Sequence, residues 1–418
     1  ERLARGTYRD ADRPILINNW EATYFDFDEA KIKSIVDESA ALGIELFVLD
    51  DGWFGRRDDD YTSLGDWFEY EQKIPNGLKG LADYIHTKGM KFGLWFEPEM
   101  ISRESELFKQ HPDWAIQIPG RGLSKGRDQY VLDFSRKEVR DNIVQQMTEV
   151  LDRVPIDYLK WDFNRNVTEV FSTSLPSDRQ GEVLHRYVLG LYEVLETITS
   201  RYPNILFESC SGGGGRFDPG MLYYMPQTWT SDNTDAIARL KIQHGTSMVY
   251  PVSSMGAHVS AVPNHQTHRE TSLEMRGNVA MAGVFGYELD VTEMSEDEKA
   301  IVKQQVAFYQ EHRRTFQYGT FYRLESAFDS NHPSWMFVSE EEVIVCDYSV
   351  LSETAPLIRL LKLRGLDTTA VYEVEGQRYG GDELMHVGLY IEPIVKGDFV
   401  SKLYVLKKVN ELSGGQSK

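Results

Sequence analysis

The stretch "DYLKWDFNR", residues 157–165, reads as a β-strand with charged residues in its interior. Side chains alternate in direction along a strand, so Tyr158, Lys160 and Asp162 share one face while Trp161 lies on the other. A strand that is buried on both faces is normally almost entirely apolar. The stretch therefore indicates either an interior that is polar for a functional reason or a structural ion pair at a strand end.

This strand is one of eight apolar runs with strand character along the chain. The runs are 15–19, 45–50, 91–97, 157–162, 205–209, 227–231, 248–253 and 282–289. Segments with helical spacing separate most of them, at 28–42, 77–88, 136–153, 179–201 and 233–244. Strands that alternate with helices in this way predict an α/β fold, a (β/α)8 TIM barrel over residues 1–327.

The alternation of strand-like and helix-like segments ends after residue 327. Short β-type runs such as "SWMFVSEEEVIVCDYSV" and "KLYVLKKV" are separated by turns rich in Gly, Asp and Glu, and no long helical segment occurs. Residues 328–410 are therefore predicted to form a small C-terminal antiparallel β-domain, a β-sandwich. The tail "NELSGGQSK" indicates disorder, predicted for 411–418.

Composition excludes several classes of partner. The 418 residues contain 45 basic and 65 acidic side chains, a formal net charge of −20, which argues against nucleic acid and anionic membrane surfaces. No apolar run approaches the roughly 18 residues of a membrane span, and the N-terminus has no signal-peptide core. With only two cysteines, the chain fits a reducing compartment, and a cytoplasmic location is expected.

If the fold is a barrel, the active residues lie at the C-terminal ends of its strands. Polar residues and tryptophans are concentrated there: Asn18, Asn19, Trp20, Asp50, Asp51, Trp95, Glu97, Glu99, Lys160, Asp162, Arg165, Glu208, Cys210, Ser231, Asp232 and Asp235. Several carboxylates beside tryptophans suit glycosidic cleavage, which needs two carboxyl groups in different protonation states and no metal or cofactor.

Two of these carboxyl groups fit the two roles. Asp162 shares a strand face with Lys160, and a nearby ammonium group keeps a carboxylate ionised, as a nucleophile requires. Asp232 lies in "WTSDNTDA" beside Trp229, in a turn where a carboxyl group could remain protonated and act as general acid. The two residues are expected to face each other across the barrel mouth, about 5–5.5 Å apart if the mechanism is retaining.

Simpler interpretations remain open for each motif. Lys160 and Asp162 could form a structural ion pair, and the pair Asp50–Asp51 could be a helix cap followed by a turn. The glycines 212–215 resemble a phosphate loop, but no Gly-Lys-Ser/Thr follows, and close passage of the backbone past a ligand is the preferred interpretation. Cys210 could be a nucleophile, but no histidine is near it in sequence, so a small pocket wall is preferred.

Two further groups could suggest metals. The histidines 258, 265 and 268 match no standard metal-ligand spacing. The segment "RRDDDY", residues 56–61, lacks the Gly and distal Glu of a calcium loop and is predicted to be a solvated loop. No metal site is predicted.

The motifs also form a recognisable series. "NNWEATYFDF", "LFVLDDGWFG", "LGDW", "LWFEPEM", "YLKWDFNR", "ESCSGGGGRFD" and "WTSDNTDAIARL" resemble, in order, those of the bacterial α-galactosidases of glycoside hydrolase family 36. The resemblance implies a retaining exo-α-galactosidase acting on melibiose- or raffinose-type oligosaccharides, with Asp162 as nucleophile and Asp232 as acid/base. It further implies a galactose site formed by Trp20, Asp50, Asp51, Trp95, Arg127, Lys160, Cys210 and Gly213.

The resemblance also sets limits and alternatives. Family members of this kind usually carry a large N-terminal β-domain, whereas the first predicted strand here begins some fourteen residues into the chain. An inactive sugar-binding fragment therefore remains an alternative. An α-N-acetylgalactosaminidase, which would need room beside C2 where Cys210 lies, and a galactosyl transferase, in which a sugar hydroxyl captures the covalent intermediate, also remain alternatives. The full-length protein is expected to be a homo-oligomer.

Overall fold

The structure, a computed structural model, describes residues 3–124, 126–354, 358–392 and 397–409. Its strands are β1 (Leu16–Asn18), β2 (Leu46–Leu49), β3 (Lys91–Phe96), β4 (Met100–Ile101), β5 (Tyr130–Val131), β6 (Tyr158–Trp161), β7 (Leu206–Ser209), β8 (Gln227–Trp229), β9 (Met255–Ser260), β10 (Val284–Glu288), β11 (Thr320–Glu325), β12 (Ser334–Val338), β13 (Glu342–Ser349), β14 (Arg359–Leu361), β15 (Val371–Val374), β16 (Gln377–Gly380), β17 (Leu389–Ile391) and β18 (Val400–Val409). The predicted disordered tail 411–418 lies outside the described residues.

Most α-helices of the described residues lie between successive barrel strands, whereas α4 lies between β4 and β5 and α11 between β16 and β17. They are α1 (Trp20–Thr23), α2 (Glu29–Leu42), α3 (Gly77–Thr87), α4 (Glu106–Gln110), α5 (Lys137–Arg153), α6 (Val183–Arg201), α7 (Pro219–Tyr224), α8 (Ala236–Thr246), α9 (Leu273–Met281), α10 (Glu296–Tyr318) and α11 (Gly381–His386). Local chemistry accounts for their ends. In α2, the Asp28 side chain accepts a hydrogen bond from the Lys31 N–H, and Gly43 ends the helix in the left-handed conformation at φ 87°.

Eight parallel strands close into a barrel in the order β1-β10-β9-β8-β7-β6-β3-β2. The prediction of a (β/α)8 barrel is confirmed. Strands β4 and β5 form a separate antiparallel pair within the long connection between β3 and β6. The connection between β3 and β6 therefore contains a small two-stranded sheet outside the barrel.

The inner face of the barrel changes from apolar to polar along its strands. Side chains near the strand beginnings pack into one buried cluster: Leu16, Leu46, Val48, Tyr158 and Leu206. Alternation then directs the next inward positions, such as Asn18, Asp50 and Lys160, to the C-terminal end of the same interior. The same period-2 pattern thus produces a packed floor and, above it, a polar site.

The prediction for the seventh strand is wrong. The apolar run 248–253 is not a strand, because Pro251 cannot donate a ladder hydrogen bond and a 3₁₀ turn, Val252–Ser254, follows it. The strand is β9, whose sequence "MGAHVS" is entirely buried although only half of its residues are strongly apolar. Met248 and Val249 are exposed instead, so hydrophobicity alone misplaced this strand.

Contacts within the chain divide it into two compact units, Glu1–Asp232 with Gly286–Lys299, and Asn233–Phe285 with Ala300–Lys418. The second unit contains a six-stranded antiparallel sheet, β11-β12-β13-β18-β15-β16, and the antiparallel pair β14-β17. The core of this sheet is a buried cluster that includes Met336, Val345, Leu361, Leu384 and Leu406. The prediction of a C-terminal antiparallel β-domain is confirmed, while the boundary at residue 327 stays a prediction.

In the described part of the chain, none of the helices combines the length and the apolar character that spanning a membrane requires.

Candidate active site

Asp162 immediately follows β6, and its carboxylate accepts hydrogen bonds from three N–H groups. Trp95 Nε1 and Asn164 Nδ2 both donate to Oδ2, over 3.1 and 2.8 Å, and the Phe163 N–H donates to Oδ1 over 2.8 Å. The Asp162 N–H in turn donates to the Phe96 carbonyl, which extends the pairing of β3 with β6 by one residue. The strand ladder and the side-chain donors together fix the direction of the carboxylate.

The charges around Asp162 keep it ionised. Burial alone raises the pKa of this carboxyl group, but the ammonium charge of Lys160 and hydrogen bonds from Asn164 and Cys210 outweigh burial. The charge of Arg127 acts in the same direction. The pKa of Asp162 consequently lies below its ordinary value, as a nucleophilic carboxylate needs.

Lys160 contacts Asp50 directly. Its Nζ donates to Asp50 Oδ2 over 2.9 Å, and Asn18 Nδ2 donates to the same oxygen over 2.6 Å. Burial lowers the pKa of Lys160, but the Asp50 carboxylate dominates the charges that hold it well above the ordinary value. The buried ion pair is therefore Lys160–Asp50, and the charge of Lys160 reaches Asp162 without a direct hydrogen bond.

Asp51 has a cationic partner that the sequence did not indicate. The Arg57 guanidinium binds the Asp51 carboxylate through Nε and Nη2, each over 2.9 Å, and only 1% of Arg57 is exposed. The prediction of a solvated loop at 56–61 is thus wrong for Arg57, which folds inward under the loop. Residues 50–76 contain no helix, so the interpretation of Asp50–Asp51 as a helix cap is also wrong.

Asp232 follows β8 and has the opposite protonation tendency from Asp162. Trp229 Nε1 donates to its Oδ1 over 3.0 Å, and the residue is only half-buried. Partial burial and then the negative charge of Asp162 raise the pKa of Asp232, and the charges of Lys160 and Arg127 offset only part of the rise. Two carboxyl groups that act on each other thus have pKa values shifted in opposite directions.

A glycine turn connects the surroundings of the two carboxyl groups. The Gly212 N–H donates to Asn164 Oδ1 over 3.0 Å, and a Cβ on Gly212 would lie 4.0 Å from Asp232 Oδ2. Gly213 has φ 86°, and a Cβ there would meet the Ser231 Cα at 2.6 Å. Only glycine fits this position, because the backbone of 231–232 passes directly over it.

The other predicted site residues also lie in the first compact unit, Glu1–Asp232 with Gly286–Lys299. Cys210 is buried after β7, and burial together with the Asp162 charge raises the pKa of its thiol well above the ordinary value, which suits a wall rather than a nucleophile. Trp20 begins α1 and is half-buried. Arg127 has φ 52°; desolvation lowers its pKa, but the charges of Asp162, Glu97 and Asp232 raise it overall.

Sequence reasoning left two residues out of the predicted site that the structure brings to Asp162. Glu97 follows β3 on the strand face of Trp95, and its Oε1 accepts hydrogen bonds from the Asn164 N–H and from Gln129 Nε2, over 2.5 and 2.6 Å. Asn164 also supports Asp162, as described above. The signal for Glu97 was its spacing of two from Trp95, which places both on one face.

Other polar residues at the strand ends serve the framework. Glu99 accepts hydrogen bonds from Trp161 Nε1 and, over 2.9 and 2.7 Å, from the Arg216 guanidinium. Asp235 accepts from the first N–H groups of α8 and so caps that helix. Among the described residues, no group of three or more His, Cys, Asp or Glu is arranged to hold a metal ion.

Comparison with known families agrees with this geometry. The family model "Melibiase" matches residues 1–319, and the "Glycosyl hydrolase family 36 C-terminal domain" model matches residues 332–406. The chain belongs to glycoside hydrolase family 36. The resemblance inferred from the motifs is confirmed.

Individual members of family 36 are similar over nearly the whole chain. "Alpha-galactosidase AgaA" of Geobacillus stearothermophilus is 60% identical, and "Alpha-galactosidase Mel36A" of Lactobacillus acidophilus is 54% identical, each over 98% of this chain. The chain spans about half the length of these relatives, 56% in both cases. The crystal structure of AgaA superposes with a TM-score of 0.96 over 97% of this chain and 57% of that one, and a substituted AgaA was solved in complex with raffinose.

Proposed function

We propose that this chain carries the active site of a retaining exo-α-galactosidase. The reaction is hydrolysis of terminal non-reducing α-D-galactosyl residues from oligosaccharides of the melibiose and raffinose type. The similarity to α-galactosidases of family 36, one of them solved with raffinose, supports the substrate class. Double displacement requires two carboxyl groups and no cofactor.

The observation that carries the proposal is the opposite protonation tendency of two neighbouring carboxyl groups. Asp162 accepts hydrogen bonds from three N–H groups and its pKa is lowered, while the pKa of Asp232 is raised. A double displacement at neutral pH needs one ionised and one protonated carboxyl group. The expected separation of about 5–5.5 Å between them stays a prediction.

The mechanism assigns one role to each group. Asp162 attacks the anomeric carbon, forming a C–O bond to the enzyme while the glycosidic C–O bond breaks, and Asp232 donates its proton to the departing oxygen. In the second step, Asp232 takes a proton from water as the water oxygen attacks the anomeric carbon, and Asp162 leaves. The product keeps its anomeric configuration because two inversions occur.

The remaining predicted residues bind galactose. Asp50 and Asp51, held by Lys160 and Arg57, are proposed to accept hydrogen bonds from the C4 and C6 hydroxyl groups, with Lys160 also donating. Arg127 adds a cation, and the other predicted contacts form the walls: Trp20, Trp95, Cys210 and Gly213. The buried thiol of Cys210 on the proposed C2 side favours galactose over N-acetylgalactosamine, since the acetamido group needs more room.

The experiment that tests the proposal uses p-nitrophenyl α-galactoside and its 2-acetamido analogue. Wild-type protein should hydrolyse the first, prefer it over the second, and release α-galactose as the first product seen by NMR. Asp162→Ala should lower kcat at least about a hundredfold, which corresponds to ~2.7 kcal/mol. Azide should restore turnover and give a product of inverted configuration.

The same experiment decides between the alternatives. An Asp162→Ala variant that keeps most of its kcat would reject the nucleophile assignment. Preference for the acetamido substrate would indicate an α-N-acetylgalactosaminidase, galactose transfer to added sugars would indicate a transferase, and binding without turnover would indicate an inactive sugar-binding chain.

Two further predictions concern the whole protein. A cytoplasmic location is supported by Cys210 and Cys346, both buried and not joined in a disulfide. Localisation of a tagged full-length protein would test it. A homo-oligomer of the full-length protein stays a prediction, to be tested by sedimentation.

A further inference from the structure

Glu97 is a buried carboxyl group beside the proposed nucleophile that has no role in the mechanism above. Only 1% of the residue is exposed. Its Oε1 accepts two N–H hydrogen bonds, from the Asn164 backbone and from Gln129 Nε2. Among the described residues, none donates a hydrogen bond to Oε2, so that oxygen can carry a proton.

Asn164, one of the hydrogen-bond partners of Glu97, makes three hydrogen bonds within the site. Asn164 donates its backbone N–H to Glu97, its Nδ2 to Asp162 Oδ2, and receives the Gly212 N–H at Oδ1. A shift of the Asn164 backbone would therefore move both the carboxylate of Asp162 and the glycine turn next to Asp232. Glu97, which directly follows the neighbouring strand β3, fixes that backbone.

The charges that face Glu97 favour its neutral form. Burial and then the negative charge of Asp162 raise the pKa of Glu97 to about 8, with Asp51 adding to the effect. Arg127 acts in the opposite direction, and so does the guanidinium of Arg57, which is already bound to Asp51. Asp162 is stabilised as an anion by the positive charges of Lys160 and Arg127, so it is Asp162, and not Glu97, that is ionised.

We propose that Glu97 is a positioning residue that holds the turn 162–164 as a neutral carboxylic acid, and that its ionisation ends activity at alkaline pH. This inference rests on the proposed function. When Glu97 loses its proton, two buried anions face each other, and their repulsion displaces the turn that Asn164 anchors. Glu97 never touches the reacting atoms.

The test is a pH profile of kcat/KM on 2,4-dinitrophenyl α-galactoside. This leaving group needs no proton, so ionisation of Asp232 does not limit its release and the alkaline limb reports Glu97. The wild-type value should fall about tenfold between the plateau and pH 9, as expected for a group with a pKa of about 8. Glu97→Gln keeps the acceptor oxygen and cannot ionise, so it should keep the plateau and lose the alkaline limb.

The matched control is Asp66→Asn. Asp66 is also buried, its pKa is also raised by burial, and its carboxylate accepts the N–H groups of Glu106 and Leu107 away from Asp162. Its substitution should leave the alkaline limb in place. An alkaline limb in Glu97→Gln that superposes on the wild-type limb would overturn the inference, as would a plateau lowered about a hundredfold.

A second variant covers the case in which Glu97→Gln does not fold. Gln129→Met removes one donor to Oε1, and donors stabilise the ionised form, so the pKa of Glu97 should rise and the limb should move to higher pH. A limb that stays in place or moves to lower pH in this variant would contradict the inference.

An infrared measurement separates this inference from the proposed function. At pH 6 the wild-type protein should show the carbonyl band of a protonated carboxyl group that Glu97→Gln lacks, and the band should fade as the pH passes about 8. The band requires no turnover. Its presence in a protein without α-galactosidase activity would reject the proposed function and keep the neutral Glu97, whereas its absence in an active enzyme would reject only the inference.

Discussion

Lys160 donates a hydrogen bond to Asp50 over 2.9 Å, and its charge also lowers the pKa of Asp162, two residues further along the chain. One buried ammonium group thus serves two carboxylates. Asp50 binds the ammonium group directly, and Asp162 depends on its charge to remain ionised. The electrostatics of the proposed substrate pocket and of the proposed nucleophile are therefore coupled.

Replacing Lys160 with Met should move the acid limb of kcat/KM to higher pH. Asp162 acts as a carboxylate, and its lowered pKa keeps it ionised down to a lower pH than usual. Without the ammonium charge its pKa rises, so protonation inactivates it at a higher pH. The pH profile on p-nitrophenyl α-galactoside measures this, and Lys299→Met, which removes an ion pair with Glu38, should leave the limb unchanged. An unshifted limb in Lys160→Met would contradict the coupling.

Replacing Asp232 with Ala should affect substrates according to their leaving group. A sugar alkoxide needs a proton to depart, whereas dinitrophenolate does not. We expect a loss of about 10²–10⁴-fold in kcat/KM for raffinose and a much smaller loss for the dinitrophenyl substrate. Comparing the two substrates in one variant provides its own control, and equal losses would reject the acid/base role.

Replacing Gly213 with Ala should disturb Asp232 more than it disturbs the fold. The new Cβ would lie 2.6 Å from the Ser231 Cα and 2.8 Å from the Asp232 N, so the 231–232 backbone has to move. Gly120→Ala is the matched control, because Gly120 has a similar φ of 80° but nothing within 4 Å of its Cβ position. Both variants should carry backbone strain of about 1–2 kcal/mol. Only Gly213→Ala should lose kcat on raffinose, and equal kinetics in both variants would show that the contact is unimportant.

Replacing Arg57 with Met should destabilise the protein strongly. The Asp51 carboxylate would remain buried without its two hydrogen bonds from Arg57, a loss of about 3–5 kcal/mol in the free energy of unfolding. Adding Asp51→Asn removes the unpaired buried charge and should restore part of the free energy of unfolding. Urea unfolding at pH 7 measures both.

A surface ion pair provides the comparison for Arg57. Lys137 and Asp141 lie one helical turn apart with more than half of each side chain exposed, so Lys137→Met should change the unfolding free energy little. A loss in Arg57→Met as small as that control would show that the buried pair contributes no more than a surface pair.

Much of the barrel could be predicted from local patterns. Where a strand is followed by a helix, the spacing of the apolar residues changes, and this change is visible in the sequence. Seven of the eight predicted runs accordingly overlap barrel strands. Polar residues after those runs marked the C-terminal ends of the strands. The exception, β9, contains Gly256, His258 and Ser260, which the barrel buries although their side chains carry no apolar signal. Period and hydrophobicity do not report burial of such residues.

The sequence by itself determined the fold class and which residues occupy the strand ends, because strand alternation is a local property that repeats every two residues. Only the tertiary structure decided their partners: Lys160 binds Asp50, Arg57 folds inward onto Asp51, and Glu97 holds Asn164. These pairs join residues from different strands and loops whose separation along the chain ranges from 6 to 110 residues. The protonation of each carboxyl group depends on those partners and on burial, and both exist only once the barrel has closed.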